Sequence, residues 1–571
     1  MSETTPPASA DAGSGGPAVR PATALDRLAD EYVDLSARLD PFLATELGIA
    51  GHDTEVTDYS PAAVDERTEA TRTLLARVAE VPDEDGVDAV TRAALTERLG
   101  LEIERAEKRL DISAVNNLAS PLQSRDVLDQ MPTDTAEDWQ VIAERMEKLP
   151  HSLGTWAESL HEAAEHGVVS ARRQLLLGAE QARGYAAADG FFTSFARDAV
   201  GDDAQRERVA EAARTAAQGY LDLADALEAL APRAPEQDAV GRDAYALASR
   251  TFLGTTIDID ETYAWGIEEL RSVVAEQEEV AARINERAGH GAGRSVEAAK
   301  QALNADPARV LHGTDALQAW MQDLSDRAVE ELAGAHFDIP EPLRRLECRI
   351  ARTGSGGIYY TGPSEDLTRP GRMWWDVPAT ITEFHTWLET TTVYHEGVPG
   401  HHLQVGIQTL QASTLNRWRA MMCWVSGHGE GWALYAERLM DQLGYLSDDG
   451  DRLGMLDAQR LRAGRVVLDI GLHCGLPMPE DLAGSAGGAW TYEKAWDFMG
   501  VHWGVTEAER RFELHRYLGW PGQAPSYKIG QRVWEQLREN AEAFGADVRD
   551  FHRRALELGG LPLSVLEEAL R

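Results

Sequence analysis

The stretch RERVAEAARTAAQGYLDLADALEAL (206–230) carries apolar residues at spacings of three and four, with Ala, Glu and Arg at many other positions. This period places the apolar side chains on one face of an α-helix. The same pattern recurs in LDRLADEYVDLSARL (25–39) and VTRAALTERLGLEIERAEKRL (90–110). Turn-forming residues interrupt it at VPDEDG (81–86) and APRAPEQ (231–237). We therefore predict a mainly α fold.

One segment departs from the helical pattern. GGIYYTGPSED (356–366) is an aromatic and β-branched run flanked by Gly and Pro, which is typical of a strand. The helical pattern returns after about Thr382. We expect a large helical domain, long enough to hold a deep cleft, with a small β hairpin element near 356–380.

The chain divides into three regions by composition. Residues 1–24 are rich in Pro, Ala, Ser, Gly and Thr. Such a segment buries too little apolar surface to offset the entropy of ordering, so we predict a disordered tail. Residues 25–340 form a helical N-terminal half, and 341–571 form the half that carries the candidate chemistry. No clean boundary separates these halves, which form two lobes or one intertwined domain.

The net charge is −40, from 55 Lys and Arg against 95 Asp and Glu in 571 residues. A general nucleic-acid binder needs a basic surface, so this class is excluded. No apolar run approaches ~18 residues, and the N-terminus lacks the features of a secretory signal, so we expect no membrane association. The three cysteines fit neither a disulfide framework nor a zinc finger. We therefore expect a cytoplasmic protein, and its oligomeric state is left open.

The segment TTVYHEGVPGHHLQVGIQ (391–408) contains the residue types of a helical zinc site. In the motif H-E-x-x-H, two histidines four residues apart bind the ion and the Glu acts on bound water. Here His401 and His402 follow His395 by six and seven residues. At a rise of ~1.5 Å per residue, both spacings are too long for one ion on a straight helix.

The residues between the histidines offer a solution to this spacing. Pro399 has no N–H to donate to the carbonyl of His395, and Gly400 tolerates unusual dihedral angles. A break or bulge at this step would absorb the two extra residues and turn His401 towards His395. We predict His395 and His401 as metal ligands, with His402 as the alternative to His401.

The segment SGHGEGWALYAERLMDQLG (426–444) predicts a helix that supplies the third ligand. Glu430 follows His401 by 29 residues, which leaves room for a turn and an antiparallel return. We predict Glu430 as the third ligand, with His428 as a second possibility. Glu437 is expected to support the ligands or to form a salt bridge.

Five blocks of sequence occur in an order that is typical of one bacterial family. They are YYTGPSEDLTRPG (359–371), HEGVPGHHLQ (395–404), EGWALYAERL (430–439), RVVLDIGLHCG (465–475) and PGQAPSYKIG (521–530). Together they resemble the domain-of-unknown-function 885 family (DUF885). The resemblance implies a zinc metallopeptidase with a largely helical, clefted fold. The family's His-Glu and Pro-Gly-His elements match His395, Glu396 and His401, and its later Glu matches Glu430. The match favours His401 over His402.

The expected chemistry is hydrolysis of a peptide or amide bond with one zinc ion. Zinc held by three protein ligands keeps an open position for water and lowers the pKa of that water. Glu396, next to a ligand, is the predicted general base that takes the proton of the water and passes it to the leaving amine. Tyr527 and His473 are candidates to stabilise the oxyanion, with Asp469 orienting His473.

Four further residues are predicted to bind substrate: Tyr360, Arg369, Arg372 and Lys528. An arginine in the loop or hairpin before the zinc helix would hold a substrate carboxylate through two hydrogen bonds. We expect a short peptide or amide as substrate. Two other hypotheses remain open, a metal-dependent enzyme acting on a non-peptide metabolite and a non-catalytic helical interaction protein. The second would have no need of Glu396.

Overall fold

The computed structural model describes residues 20–291, 293–351, 357–484 and 487–571, and helices dominate these ranges. The α-helices are α1 (Ala24–Leu39), α2 (Pro41–Glu46), α3 (Pro61–Glu80), α4 (Gly86–Glu107), α5 (Ala136–Glu165), α6 (Arg172–Ala186), α7 (Phe191–Arg197), α8 (Asp203–Leu230), α9 (Arg242–Leu253), α10 (Ile259–Arg287), α11 (Val296–Asn304), α12 (Thr314–Leu332), α13 (Thr386–Glu396), α14 (His401–Leu410), α15 (Arg417–Met421), α16 (Ser426–Gln442), α17 (Asp449–Cys474), α18 (Tyr492–His502), α19 (Glu507–Gly519), α20 (Ser526–Ala543), α21 (Val548–Glu557) and α22 (Leu563–Ala569). The predicted mainly α fold is confirmed. Within these ranges, no helix is both long enough and apolar enough to cross a bilayer.

The strands form two small sheets. They are β1 (Val310–His312), β2 (Leu346–Ala351), β3 (Ile358–Thr361), β4 (Gly371–Asp376) and β5 (Glu383–His385). The order β2-β4-β3 contains the predicted hairpin, because β3 and β4 pair antiparallel while β2 joins β4 in parallel. Gly356, the first residue of the predicted strand segment, lies outside the described residues. The strands β1 and β5 pair antiparallel and have three residues each, too few for a recognisable period.

The long helices begin at side chains that cap them. Thr135 before α5 and Asp202 before α8 each accept a hydrogen bond from the backbone N–H three residues on, and the side chain at that position bonds back to the cap. This reciprocal arrangement satisfies N–H groups that have no partner within the helix. The predicted period then buries one face of α8, including Ala216, Leu223 and Leu227, in the core that it shares with α5.

The buried apolar side chains form two clusters. The smaller cluster joins α2, α5, α6, α7 and α8. The larger cluster combines α1, α3 and α4 with elements from α9 to the C-terminus. Because helices near the N-terminus pack into the cluster that also contains the candidate chemistry, a division between residues 340 and 341 does not separate the two cores.

The segment before α1 is ordered where the structure describes it, although a disordered tail was predicted for residues 1–24. Arg20 lies 2.6 Å from a carboxylate oxygen of Asp26, and the side chain of Thr23 caps α1. An ion pair and a helix cap hold this part of the chain, so the predicted tail is too long by these residues. Residues 1–19 lie outside the described ranges.

Helices α16 and α20 approach each other until their backbones touch. A Cβ atom on Gly530 would lie 1.9 Å from the carbonyl oxygen of Gly427, and one on Gly431 would lie 2.5 Å from the carbonyl carbon of Gly530. Close-packed interiors leave no room for such an atom, so only glycine fits. This contact fixes the beginnings of two helices that contribute side chains to the same cleft.

We predict that Gly530→Ala lowers the free energy of unfolding by about 1–3 kcal/mol, because the added methyl overpacks the contact between α16 and α20. Thermal or denaturant unfolding measures the change. Gly154→Ala is the matched control, since Gly154 is an exposed residue of α5 with open space around it. It should leave stability unchanged or raise it by up to ~1 kcal/mol. Equal stability of the Gly530→Ala variant and the parent would contradict this packing.

Candidate metal centre

The chain breaks between α13 and α14 at the Pro-Gly step. Helix α13 ends at Glu396 and α14 begins at His401. The amide of Gly400 donates a hydrogen bond to the carbonyl of Tyr394 at 3.1 Å. A Cβ atom on Gly400 would lie 1.9 Å from the carbonyl oxygen of His395, so this turn requires glycine. The predicted break between the two helices is therefore present.

The break brings His395 and His401 together with Glu430 of α16. The Nε2 atom of His395 lies 3.4 Å from Oε2 of Glu430, and Nε2 of His401 lies 3.7 Å from the same oxygen. The two imidazole rings are nearly perpendicular, at 88°, with centroids 4.9 Å apart. One ligand atom from each residue lies within 4.8 Å of the other two. The three predicted ligands therefore meet at one point.

The donor set of this triad fits a zinc ion. Two imidazole nitrogens and one carboxylate oxygen are common ligands of catalytic zinc, which keeps its fourth position open. Bonds of ~2.1 Å at tetrahedral angles put neighbouring ligand atoms ~3.4 Å apart. The separations of 3.4 and 3.7 Å between the histidine nitrogens and the Glu430 oxygen are close to this value.

The Nδ1 atom of each imidazole in the triad, on the side away from the centre, contacts a polar side chain. Nδ1 of His395 donates a hydrogen bond to Glu437 at 2.7 Å, and the other oxygen of Glu437 accepts one from the Thr391 hydroxyl at 2.8 Å. Nδ1 of His401 lies 3.3 Å from Oε1 of Gln404. A proton on Nδ1 leaves the Nε2 lone pair directed at the centre, and such partners fix the ring orientation. Glu437 thus lies where a supporting residue was expected.

The two alternative ligands, His402 and His428, form hydrogen bonds with residues outside the triad. Nε2 of His402 donates to the carbonyl of Leu343 at 2.8 Å, and its Nδ1 accepts from the hydroxyl of Tyr360 at 2.9 Å. Nδ1 of His428 accepts from the amide of Gln404 at 3.1 Å. Burial lowers the pKa of His402 to about 4 and that of His428 to about 3. The structure brings neither ring to the triad.

Burial and hydrogen bonding both act on the ionisation of the centre. Burial lowers the pKa of His395, but hydrogen bonds with Glu430 and Glu437 outweigh it and raise that pKa to about 10. Burial also raises the pKa of Glu430, but hydrogen bonds with His395 and His401 hold it well below its usual range. Burial raises the pKa of Glu396. The centre is a buried, coupled group of imidazoles and carboxylates, the environment in which functional sites are commonly found.

The triad opens into a cleft with a volume of about 500 Å³. Four other predicted residues line it, namely Glu396, Tyr360, Tyr527 and Glu437. The side chains of Tyr359 and Trp424 also line the cleft and are 47% and 50% exposed, so an aromatic surface borders its opening. A cavity of this size, in which aromatic side chains border a set of converging polar groups, is typical of a small-ligand site.

Tyr527 lies in the first turn of α20. The guanidinium of Arg465 packs over its ring at 5.2 Å, and Arg465 is itself fixed by Tyr517 and Glu513, each at 2.8 Å. Burial raises the pKa of the Tyr527 phenol, which therefore stays protonated as a donor. No residue in the described ranges hydrogen-bonds to its hydroxyl.

The structure does not bring His473, the other oxyanion candidate, to the cleft. Its ring is buried outside the cleft, where Nε2 bonds to the carbonyl of Tyr517 at 3.0 Å and the ring stacks on Tyr245. Asp469 accepts hydrogen bonds from the Tyr245 hydroxyl and the Gly522 amide, each at 2.8 Å. His473 and Asp469 therefore belong to a buried polar group between helices and do not line the cleft.

The three predicted substrate cations also lie outside the cleft lining. Lys528 is buried with its ammonium 2.8 Å from Glu269, and Nε of Arg372 lies 3.0 Å from a carboxylate oxygen of Glu347 on β2. Arg369 donates to backbone carbonyls of its own loop. Each cation is already satisfied by groups distant in sequence or by the backbone, and the structure does not bring any of the three to the cleft lining.

The cleft contains an arginine that was not predicted. Arg462 of α17 lines the same cavity as the triad. Its only signal in the sequence is a polar position in the stretch RLRAGRVVLDIG (460–471), which is otherwise largely buried. Gln404, between the ligand His401 and the buried His428, was also missed, because an amide on a helix has no distinctive pattern.

The fold and the site together define a mainly α-helical protein with a two-histidine, one-glutamate centre in a cleft. The family described as bacterial protein of unknown function (DUF885) matches residues 41–570, and the chain belongs to this family. None of the functionally curated proteins matches the sequence.

Two solved structures share the fold. A candidate lipoprotein from Colwellia psychrerythraea superposes with a TM-score of 0.79 at 22% identity, covering 96% of this chain and 98% of that one. A candidate lipoprotein of unknown function from Shewanella oneidensis superposes with a TM-score of 0.72 at 16% identity, covering 96% and 99%. At these identities the likeness concerns the fold alone.

We predict that Lys528→Met lowers the free energy of unfolding by about 2 kcal/mol, because it removes the cation that pairs with Glu269 and leaves the amide oxygen of Gln459 without its donor. Denaturant unfolding measures the loss. An unchanged stability together with a raised KM would instead return Lys528 to a role in substrate binding.

Proposed function

We propose that the protein is a zinc-dependent hydrolase that cleaves peptide or amide bonds. The observation that carries the proposal is the convergence of His395, His401 and Glu430 at one point of an open cleft, with Glu396 in the same lining. When bound, a zinc ion would polarise the substrate carbonyl and lower the pKa of water at its open position. Proton transfer and stabilisation of the oxyanion are then carried out by side chains of the protein.

Glu396 is the general base in this proposal. It is the last residue of α13, directly after the ligand His395, and its buried carboxylate lines the cleft. A carboxylate there accepts a proton from the attacking water and delivers it to the leaving amine. The carboxylate of Glu396 is buried close to those of Glu430 and Glu437, and three such groups repel one another when they are charged. A purely structural role for Glu396 gives no reason for this arrangement.

Tyr527 stabilises the oxyanion in this proposal. Its phenol is protonated, lines the cleft, and has no hydrogen-bond partner among the residues that the structure describes. The stacked Arg465 fixes the ring, so the donor is oriented before the substrate arrives. The aromatic border formed by Tyr359 and Trp424 suits the side chains of a short peptide.

A reducing compartment remains part of the proposal. The cysteines Cys348, Cys423 and Cys474 are all free, and Cys348 and Cys423 are buried. Free thiols are usual in the cytoplasm, where disulfides are rare. The two structural neighbours are candidate lipoproteins, so cell fractionation is the direct check of location.

We predict that the native protein binds one zinc ion and that His395→Ala, His401→Ala and Glu430→Ala each abolish stoichiometric binding. Elemental analysis after dialysis measures the metal content. His402→Ala is the matched control, because the ring of His402 is engaged by Leu343 and Tyr360 and should not affect the ion. Absence of zinc from the native protein, or zinc retained in the triad variants, would contradict the proposed centre.

We predict that Glu396→Gln retains the zinc ion but lowers kcat by ~10²–10⁴-fold, because the amide cannot accept the proton. Turnover is measured on the best substrate from a peptide library, with metal content determined in parallel. Glu389→Gln is the control, since Glu389 is on the same helix but not in the cleft lining. Full activity of Glu396→Gln would exclude Glu396 as the base.

A further inference from the structure

Arg462 lies on the face of α17 that borders the cleft, one turn after Ala458. Its guanidinium makes a single long hydrogen bond, from Nη1 to the carbonyl of Ala458 at 3.4 Å. Its Nε is buried and has no partner, and no carboxylate in the described ranges pairs with the group. Arg462 is thus a half-buried cation, and most of the N–H donors of its guanidinium have no hydrogen-bond partner among the described residues.

Two other arginines of α17 differ from Arg462 in that each forms an ion pair with a carboxylate. Arg465 pairs with Glu513 at 2.8 Å, and Arg452 pairs with Glu276 at 2.7 Å. The chain has 95 acidic residues against 55 basic ones, so carboxylate partners are abundant. Buried polar groups are normally satisfied, and an unsatisfied group that lines a cavity points to a ligand that completes it.

The charge distribution of the cleft indicates the kind of ligand. Among the residues that the structure describes, the lining contains three carboxylates, those of Glu396, Glu430 and Glu437, and one Lys or Arg side chain, that of Arg462. Apart from a metal ion at the triad, an anionic group would be repelled by these carboxylates and attracted to Arg462. A guanidinium matches a planar carboxylate through two parallel hydrogen bonds, which a neutral carbonyl oxygen does not reproduce.

We propose that Arg462 binds the C-terminal carboxylate of the substrate, so that the enzyme removes residues from the C-terminal end of short peptides; this inference rests on the proposed hydrolase function. The scissile carbonyl then lies at the triad while the free carboxylate reaches Arg462. A residue spans ~3.3–3.6 Å in an extended chain, so a cleft of about 500 Å³ accommodates only a few residues beyond the cleaved bond. Peptides with a blocked C-terminus are poor substrates.

The test compares peptides of one sequence with a free C-terminal carboxylate or a C-terminal amide. The native enzyme should show a KM for the acid ~10- to 100-fold below that for the amide. Arg462→Gln should raise the KM of the acid to that of the amide and leave the amide unchanged. Arg462→Lys, which keeps the charge but not the paired donors, should fall between them.

Arg452→Gln is the matched control. Arg452 is on the same helix as Arg462, pairs with Glu276 at 2.7 Å and is not in the cleft lining, so its loss should change neither KM. A thermal unfolding curve for each variant shows whether it folds, and Arg462→Met, which keeps much of the side-chain volume, replaces Arg462→Gln if the latter does not.

Binding provides a second readout that does not need turnover. In the zinc-loaded Glu396→Gln protein, calorimetry should give tighter binding of the acid than of the amide, and addition of Arg462→Gln should abolish the difference. Equal KM values for acid and amide in the native enzyme would overturn the role of Arg462 while the peptidase function stands. An Arg462→Gln variant that lowers kcat equally for both peptides would assign Arg462 to the oxyanion and also overturn it. Cleavage of neither peptide, with binding of the acid that depends on Arg462, would overturn the peptidase function alone.

Discussion

The candidate centre depends on a break in one helix, where the carbonyl oxygen of His395 occupies the space that a side chain at position 400 would need. Gly400 leaves that space free, and Pro399 before it cannot donate a hydrogen bond to continue α13. The break converts a spacing of six residues, which is too long for one ion on a straight helix, into two facing imidazoles. Every other contribution to the centre requires His395 and His401 to be in this position.

The second constraint is the backbone contact between α16 and α20. Glycines at the crossing let the helices approach so closely that Glu430 of one and Tyr527 of the other line the same cleft. Helix α17 completes the wall with Arg462, and packs its Arg465 against the ring of Tyr527. The large core that unites the first helices with the C-terminal ones holds these elements as one body, so the long N-terminal region is part of the scaffold of the site.

The features that depend on residues close together in the chain could be predicted from the sequence. The helical period, the hairpin and the Pro-Gly break were all visible in the sequence, and the triad of His395, His401 and Glu430 followed from motif spacing and from the family resemblance. The pairing of charges was not predictable. Lys528 was predicted to bind substrate, but its ammonium forms an ion pair with Glu269. Arg462 belongs to no recognisable motif, and no described carboxylate pairs with its guanidinium. In a chain of net charge −40, a cation is free only where packing keeps carboxylates away, and packing is a property of the fold.

The most direct measurement is anomalous X-ray diffraction at the zinc absorption edge from crystals of the native protein. The result predicted here is one peak ~2.0–2.2 Å from Nε2 of His395, Nε2 of His401 and a carboxylate oxygen of Glu430, with a fourth position facing the cleft. A peak bound instead by His402 or His428, or no peak at the triad in a zinc-supplemented crystal, would contradict the assignment of a catalytic metal centre.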